Sequence, residues 1–218
     1  MRILAISLLV FASSASAQSQ PSVDCNAVQN SMDPVELAYH SQDGTRTVVQ
    51  AYRDKSGGYV VWSRQTPPST THPPPPVFVT KATYVDGALA SGEMSTAYAG
   101  KYSHLTAKYA SDGLPRNFDR RSDAAYKMHA VTTDGDGTTE EKTSTISYKF
   151  KSEGTATVGS CVLQAIHGEI DTTSDTGRKS HSFQVYFPEL KISATAVDAE
   201  PIVDSLSTVF SEIKPLNQ

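Results

Sequence analysis

Three sets of side chains in this 218-residue chain could do chemistry: six histidines, a run of carboxylates and two cysteines. The histidines are His40, His72, His104, His129, His167 and His181. None forms the close helical pair of a zinc enzyme. His167 and His181 come together only if Ile170 pairs with Arg178 in a β-hairpin, with Glu169 on the same face as a third donor. Two imidazoles alone make an incomplete zinc site, so the reading is of two strand histidines near a turn. Asp134, Asp136, Glu140 and Glu141 suggest a calcium loop, but the spacing fails. An EF-hand loop needs Gly where Thr139 stands and Glu where Thr145 stands. Asp134-Gly135-Asp136-Gly137 is explained by a hairpin turn alone. No metal and no cofactor is expected.

Cys25 and Cys161 are the only cysteines. An even number of thiols in an exported chain reads as a disulfide, Cys25–Cys161. Lipidation of Cys25 is disfavoured because Asp24 breaks the run of small residues that a lipoprotein signal requires. A nucleophilic Cys161 is disfavoured because no histidine or acid lies beside it. The Gly-x-Ser-x-Gly, Ser-x-x-Lys and Gly-x-Gly-x-x-Gly motifs do not occur. No catalytic residue is assigned and an enzyme is not expected.

The compartment follows from the first seventeen residues. Arg2 precedes an apolar run, Ile3 to Phe11, and Ala15-Ser16-Ala17 supplies the small residues of a cleavage site. That is the layout of a signal peptide, residues 1–17, cut after Ala17. The run falls short of the roughly 20 residues that span a bilayer. Residues 18–218 are then one exported domain, periplasmic or secreted, with no transmembrane segment. The formal charge is −4, and Arg120-Arg121 sits between Asp119 and Asp123. Without a basic face, nucleic acid is excluded as a partner.

The elements read as strands joined by glycine turns. Val35 to Ser41, Thr45 to Tyr52 and Tyr59 to Arg64 form a meander. Pro67, Pro68 and the run Pro73 to Pro76 make residues 66–76 an exposed polyproline-like loop. Val77 to Tyr84, Met94 to Tyr109, Ala124 to Thr132 and Ser144 to Lys151 continue the strands, with a turn at Glu153-Gly154. Ala156 to Ile170 and Lys179 to Val197 are two long β-rich runs. Cys161, Leu163, Ala165 and His167 share one face with Phe187, Val185, Phe183 and His181. Two helices are expected. A short one covers Ser22 to Met32. An amphipathic one is capped by Asp198 and carries the stripe Ile202, Val203, Leu206, Val209, Phe210 and Ile213. The fold class is therefore mainly β (α+β): one curved antiparallel sheet or half-barrel with a helix near each end.

Gly159-Ser160-Cys161 opening a strand, followed by Tyr186-Phe187-Pro188-Glu189-Leu190-Lys191, resembles the end of bacterial periplasmic LolA/LolB-like proteins and their uncharacterised relatives, over about the last 60 residues of this chain. The resemblance implies a half-barrel with helices on its concave side, and it carries over no functional residue. A curved sheet around an apolar space is the usual geometry of a ligand cavity. The expected function is a non-enzymatic binding or carrier protein for a hydrophobic small molecule or lipid. The ligand-binding residues stay unknown at this level. The rivals are a hydrolase with a spatially assembled site and a structural envelope protein. Ten tyrosines and the lone Trp62 could line such a cavity or simply pack.

Overall fold

A computed structural model describes residues 25–30, 34–53, 59–68, 76–85, 88–97, 106–114, 118, 120–133, 136–197, 199–209 and 213. The expected signal peptide, most of the proline-rich loop, Asp134 and Phe210 lie outside these residues. Twelve strands follow one another: β1 Val35–His40, β2 Arg46–Arg53, β3 Tyr59–Thr66, β4 Val77–Val85, β5 Ala88–Ala97, β6 Thr106–Asp112, β7 Ala124–Thr133, β8 Thr139–Val158, β9 Cys161–Ser174, β10 Lys179–Phe187, β11 Ile192–Val197 and β12 Ile202–Thr208. Each of β1 to β11 pairs with its neighbours in sequence, and β12 returns to pair with β1. All the pairings are antiparallel.

The expected α+β class with two helices is corrected by this sheet. Among the described residues, helix is confined to the six residues α1, Cys25–Asn30. The segment expected as a C-terminal helix is β12, running from His40↔Ile202 to Val35↔Thr208 along β1. Its stripe of Ile202, Val203 and Leu206 fits helical spacing. However, a short helix is marginal in water, whereas the free edge of β1 offers a full ladder of backbone partners. Beyond β12, the Val209 N–H donates to the Pro34 carbonyl at 2.9 Å, and the Ile213 N–H donates to Gln50 Oε1 at 2.9 Å.

Three further boundaries differ from expectation. The expected strand Met94 to Tyr109 is parts of two, β5 and β6, which pair with each other from Gly92↔Tyr109 to Ser95↔Thr106. The expected turn at Glu153-Gly154 is strand; β8 runs on to Val158 and absorbs one extra residue as a bulge between Phe150 and Ser152. The chain reverses at Gly159-Ser160, a two-residue hairpin loop with Gly159 at φ +59. Glycine in the first position of such a loop suits the right-handed twist of the flanking strands. The run Lys179 to Val197 is likewise two strands, separated at Pro188, which cannot donate to a ladder.

The ends of the sheet overlap rather than close edge to edge. Ladder partners traced from Leu37 lead through Val49, Ser63, Thr80 and Met94 to the even-numbered positions of β7 and β8, and on to Ile166 and Tyr186. We call this the inner face. Yet Leu37 and Val49 pack in one core with Leu163, Val185, Phe187, Ile192 and Ala194, which lie on the opposite face. The inner face of β12-β1-β2 thus covers the outer face of β9-β10-β11, as in a scroll. A twist of about 20–25° per strand turns a sheet through roughly half a revolution over eight or nine steps. The Tyr39 hydroxyl accepts the Thr195 N–H at 3.1 Å across this overlap.

Cys25 and Cys161 form a disulfide with Cα atoms 5.3 Å apart. It holds α1 over the end of the core, where Val28 is buried beside Leu163 and Phe187.

Candidate functional site

The opposite side of β9 and β10 belongs to the inner face, and it carries a second, smaller cluster. Phe118, Ala124 and Tyr148 are buried there, with Leu114, Phe150 and Ile170 against them. Leu114 and Phe118, from between β6 and β7, pack onto this face, and the chain just before β7 is fixed where the Phe150 N–H donates to Asp123 Oδ1 at 2.9 Å. Tyr148 stands at its centre. Its ring meets Phe118 edge-on at 5.1 Å, and its hydroxyl donates to the Arg120 carbonyl at 2.8 Å. Gly168 on β9 leaves room for that ring; a Cβ there would fall 2.4 Å from it.

Gly168→Ala therefore has no free space, and the ring cannot tilt without losing Phe118 or the Arg120 carbonyl. Overpacking of this kind costs about 1–3 kcal/mol. A lowered urea midpoint with an unchanged m-value is the expected result.

Arg120 is the unusual residue of the cluster. Its φ is +66, a left-handed conformation that costs a side-chain-bearing residue about 1–2 kcal/mol. The Tyr148 hydrogen bond offsets part of that cost and aims the guanidinium at the sheet. The guanidinium lies over the Phe118 ring at 5.4 Å and the Tyr186 ring at 4.8 Å. One terminal nitrogen donates to Gln184 Oε1. Gln184 is itself buried, and its amide nitrogen donates to Thr195 Oγ1 at 3.3 Å. Among the described residues no carboxylate pairs with Arg120. Its neighbour Arg121 does have one, binding Glu153 at 2.8 Å in an exposed ion pair.

Four half-buried tyrosines share the inner face with this cation, Tyr186 directly under it, while Tyr59 has the Arg53 guanidinium over its ring at 5.7 Å. Tyr59 and Tyr84 are ladder partners on β3 and β4, while Tyr126 and Tyr186 come from β7 and β10. Burial pushes the Tyr126 and Tyr186 phenols above their ordinary value, and the Arg120 charge opposes the rise in both. Tyr84 adds to the rise in both, and Tyr59 to that in Tyr186. Tyr39, buried in the main core, is raised by burial too.

These three phenols should titrate late. The folded state keeps protons there that the unfolded chain releases above about pH 10. Their contribution to stability is complete below that pH and is lost as pH rises through it. Absorbance titration of the native protein should show Tyr39, Tyr126 and Tyr186 ionising above the ordinary phenol range, in step with alkaline unfolding.

His167 and His181 are not brought together, and His72 and His104 lie outside the described residues. His181 lies opposite Asp171 and His167 opposite Val185, four residues out of step with the expected register. The hairpin closes tightly, with the Ser174 N–H donating to the Arg178 carbonyl at 2.9 Å. An even shift keeps each residue on its expected face but separates the histidines by about 13 Å along the strands. Each has its own carboxylate: His181 with Asp171 at 2.8 Å, His167 with Glu200 at 3.0 Å. The hydrogen bond from His181 holds the Asp171 carboxyl below its usual range. Glu169 pairs with Lys151 at 3.0 Å.

The acidic turn is also spoken for where it is described. Asp136 Oδ1 accepts the Thr138 N–H at 2.9 Å, and Glu140 binds Lys142 at 2.8 Å. No group of three metal-ligating side chains gathers among the described residues. Trp62 stands on the outer face of β3, with the Lys81 ammonium over its ring at 5.3 Å. Among the described residues, no helix is long and apolar enough to cross a membrane.

Sequence reasoning missed Arg120. The pattern Asp119-Arg120-Arg121-Asp123 reads as neutralised charge, and nothing local shows that Asp123 and Arg121 are engaged elsewhere. The number of tyrosines was the one signal, and it named no positions. No protein-family model, curated protein or solved structure matches this chain.

Proposed function

We propose that the protein is an exported, non-enzymatic binding or carrier protein for a hydrophobic, lipid-like small molecule, and that the inner face of the scroll is where it binds. The observation that carries this reading is the half-buried Arg120 guanidinium over the Phe118 and Tyr186 rings, on a face that also carries Tyr59, Tyr84 and Tyr126. Aromatic rings with hydroxyl edges give a ligand a large apolar contact and a few polar anchors, the usual make-up of a small-molecule site. The main core needs none of these residues, since it fills on the other face of β9 and β10. Export belongs to the same reading. It is supported by the apolar start of the chain, the Ala15-Ser16-Ala17 segment and the disulfide, which persists in an oxidising compartment.

The test is native mass spectrometry of the protein produced with its own leader and purified from the envelope without detergent. The reading expects a mature chain starting near Gln18 that retains one small apolar molecule. A bare chain, together with no saturable binding of apolar probes, would contradict it.

A further inference from the structure

We infer that the ligand of the inner face is an amphiphile with a carboxylate head, and that Arg120 reads that head. The inference rests on the binding reading above and adds the ligand's charge to it. The chain as a whole repels anions weakly, with a formal charge of −4, so any preference for an anion must be local. Arg120 supplies the local charge. It is half-buried, stacked on two rings and without a carboxylate among the described residues. One nitrogen is committed to Gln184, which fixes the plane of the group, and among the described residues its other donors have no partner and can form a fork. A planar fork matches a carboxylate in a way that an ammonium does not.

The tyrosines strengthen the match. With their ionisation pushed above the ordinary range, Tyr126 and Tyr186 stay protonated at neutral pH. A neutral phenol can donate to an anion, and a phenolate would repel it. The left-handed backbone at Arg120, held by Tyr148, is a strained conformation of the kind kept where geometry matters. The apolar remainder of the ligand then lies along Phe118 and the tyrosine rings.

The experiment uses the full mature protein and the neutral fluorophore N-phenyl-1-naphthylamine as reporter. Decanoate and decanol, which share a chain and differ in the head, compete for it at neutral pH. Decanoate is expected to displace the fluorophore at a concentration about tenfold below that of decanol, the size of one charge-assisted hydrogen bond. Arg120→Gln should bring the two within about twofold of each other. Arg178→Met, in the exposed hairpin turn, should leave the tenfold ratio intact. Equal competition by the two compounds in the wild type would overturn the inference and leave apolar binding standing. So would an unchanged ratio in Arg120→Gln. If neither compound nor the fluorophore binds saturably, the binding reading itself fails and takes the inference with it. Should Arg120→Gln not fold, Arg120→Lys keeps the charge and loses the fork. Its ratio is expected to fall to about threefold, and a ratio that stays at the wild-type value would count against Arg120.

Discussion

Phe187→Ala is expected to lower the stability of the protein by about 3–5 kcal/mol. Phe187 is fully buried, at 0% exposure, and stands where the two overlapping ends of the sheet meet. Its neighbours in that core come from β1, β2, β9, β11 and β12. Few of them can move into the space a truncated ring leaves, because each is held in its own ladder. The cost should therefore fall at the upper end of the range for large-to-small changes. Denaturant unfolding checks it, and a loss below about 1 kcal/mol would mean that the overlap is not tightly packed. The same change should leave binding of an apolar fluorophore nearly unaltered, since the inner face lies on the other side of β10.

Replacing both Cys25 and Cys161 by alanine is the second large effect. The bond closes a loop with a sequence separation of 136 residues. Chain entropy for so long a loop corresponds to about 4–5 kcal/mol, and measured effects run from near zero to that value. Two features place this case near the top. The sulfur of Cys161 is buried in the main core. The helix described at Cys25–Asn30 covers six residues, a length that does not stand in water without its tether. Loss of the bond should release α1 and uncover Val28, which sits over the core. Urea denaturation of the double variant against wild type measures the effect. A stability within about 1 kcal/mol of wild type would show that α1 is held by packing alone.

How much of this was legible in the residues depends on how far apart the interacting parts lie. The early hairpins are written locally. Gly44 takes φ +84 in the turn after β1 and Gly177 takes φ +81 in the turn after β9, where glycine in a polar loop signals a reversal. The disulfide was legible from cysteine number and compartment. The shared face of Cys161, Leu163 and Ala165 with Phe187 and Val185 was legible from alternation, and it survived a register error of four because that error was even. What failed was non-local. Ile202, Val203 and Leu206 have helical spacing, and only the edge of β1, some 160 residues away in the chain, makes them a strand. The half-barrel with helices over its concave side, drawn in part from the LolA/LolB-like resemblance, falls with that helix. The extra residue at the β8 bulge is equally silent in sequence. It lets Ala156 and Val158 turn toward Leu163 and Cys161 while Tyr148 faces Arg120.

The candidate site was the least legible part. Its aromatic residues come from β3, β4, β7 and β10 and from the segment before β7, and no two of them share a motif. They meet because the sheet rolls, a consequence of twist accumulated over many strands. Arg120 could be told from Arg121 only once their partners were known.

The central claim is that this rolled inner face holds a hydrophobic ligand. Titration of the mature protein with N-phenyl-1-naphthylamine, followed by its fluorescence, tests it most directly, with Tyr126→Ala/Tyr186→Ala measured beside the wild type. The account predicts saturable binding at one site in the wild type and at least a tenfold weaker association in the double variant, with cooperative unfolding retained in both. Unsaturable fluorescence in the wild type, or equal affinity in the two proteins, would contradict it.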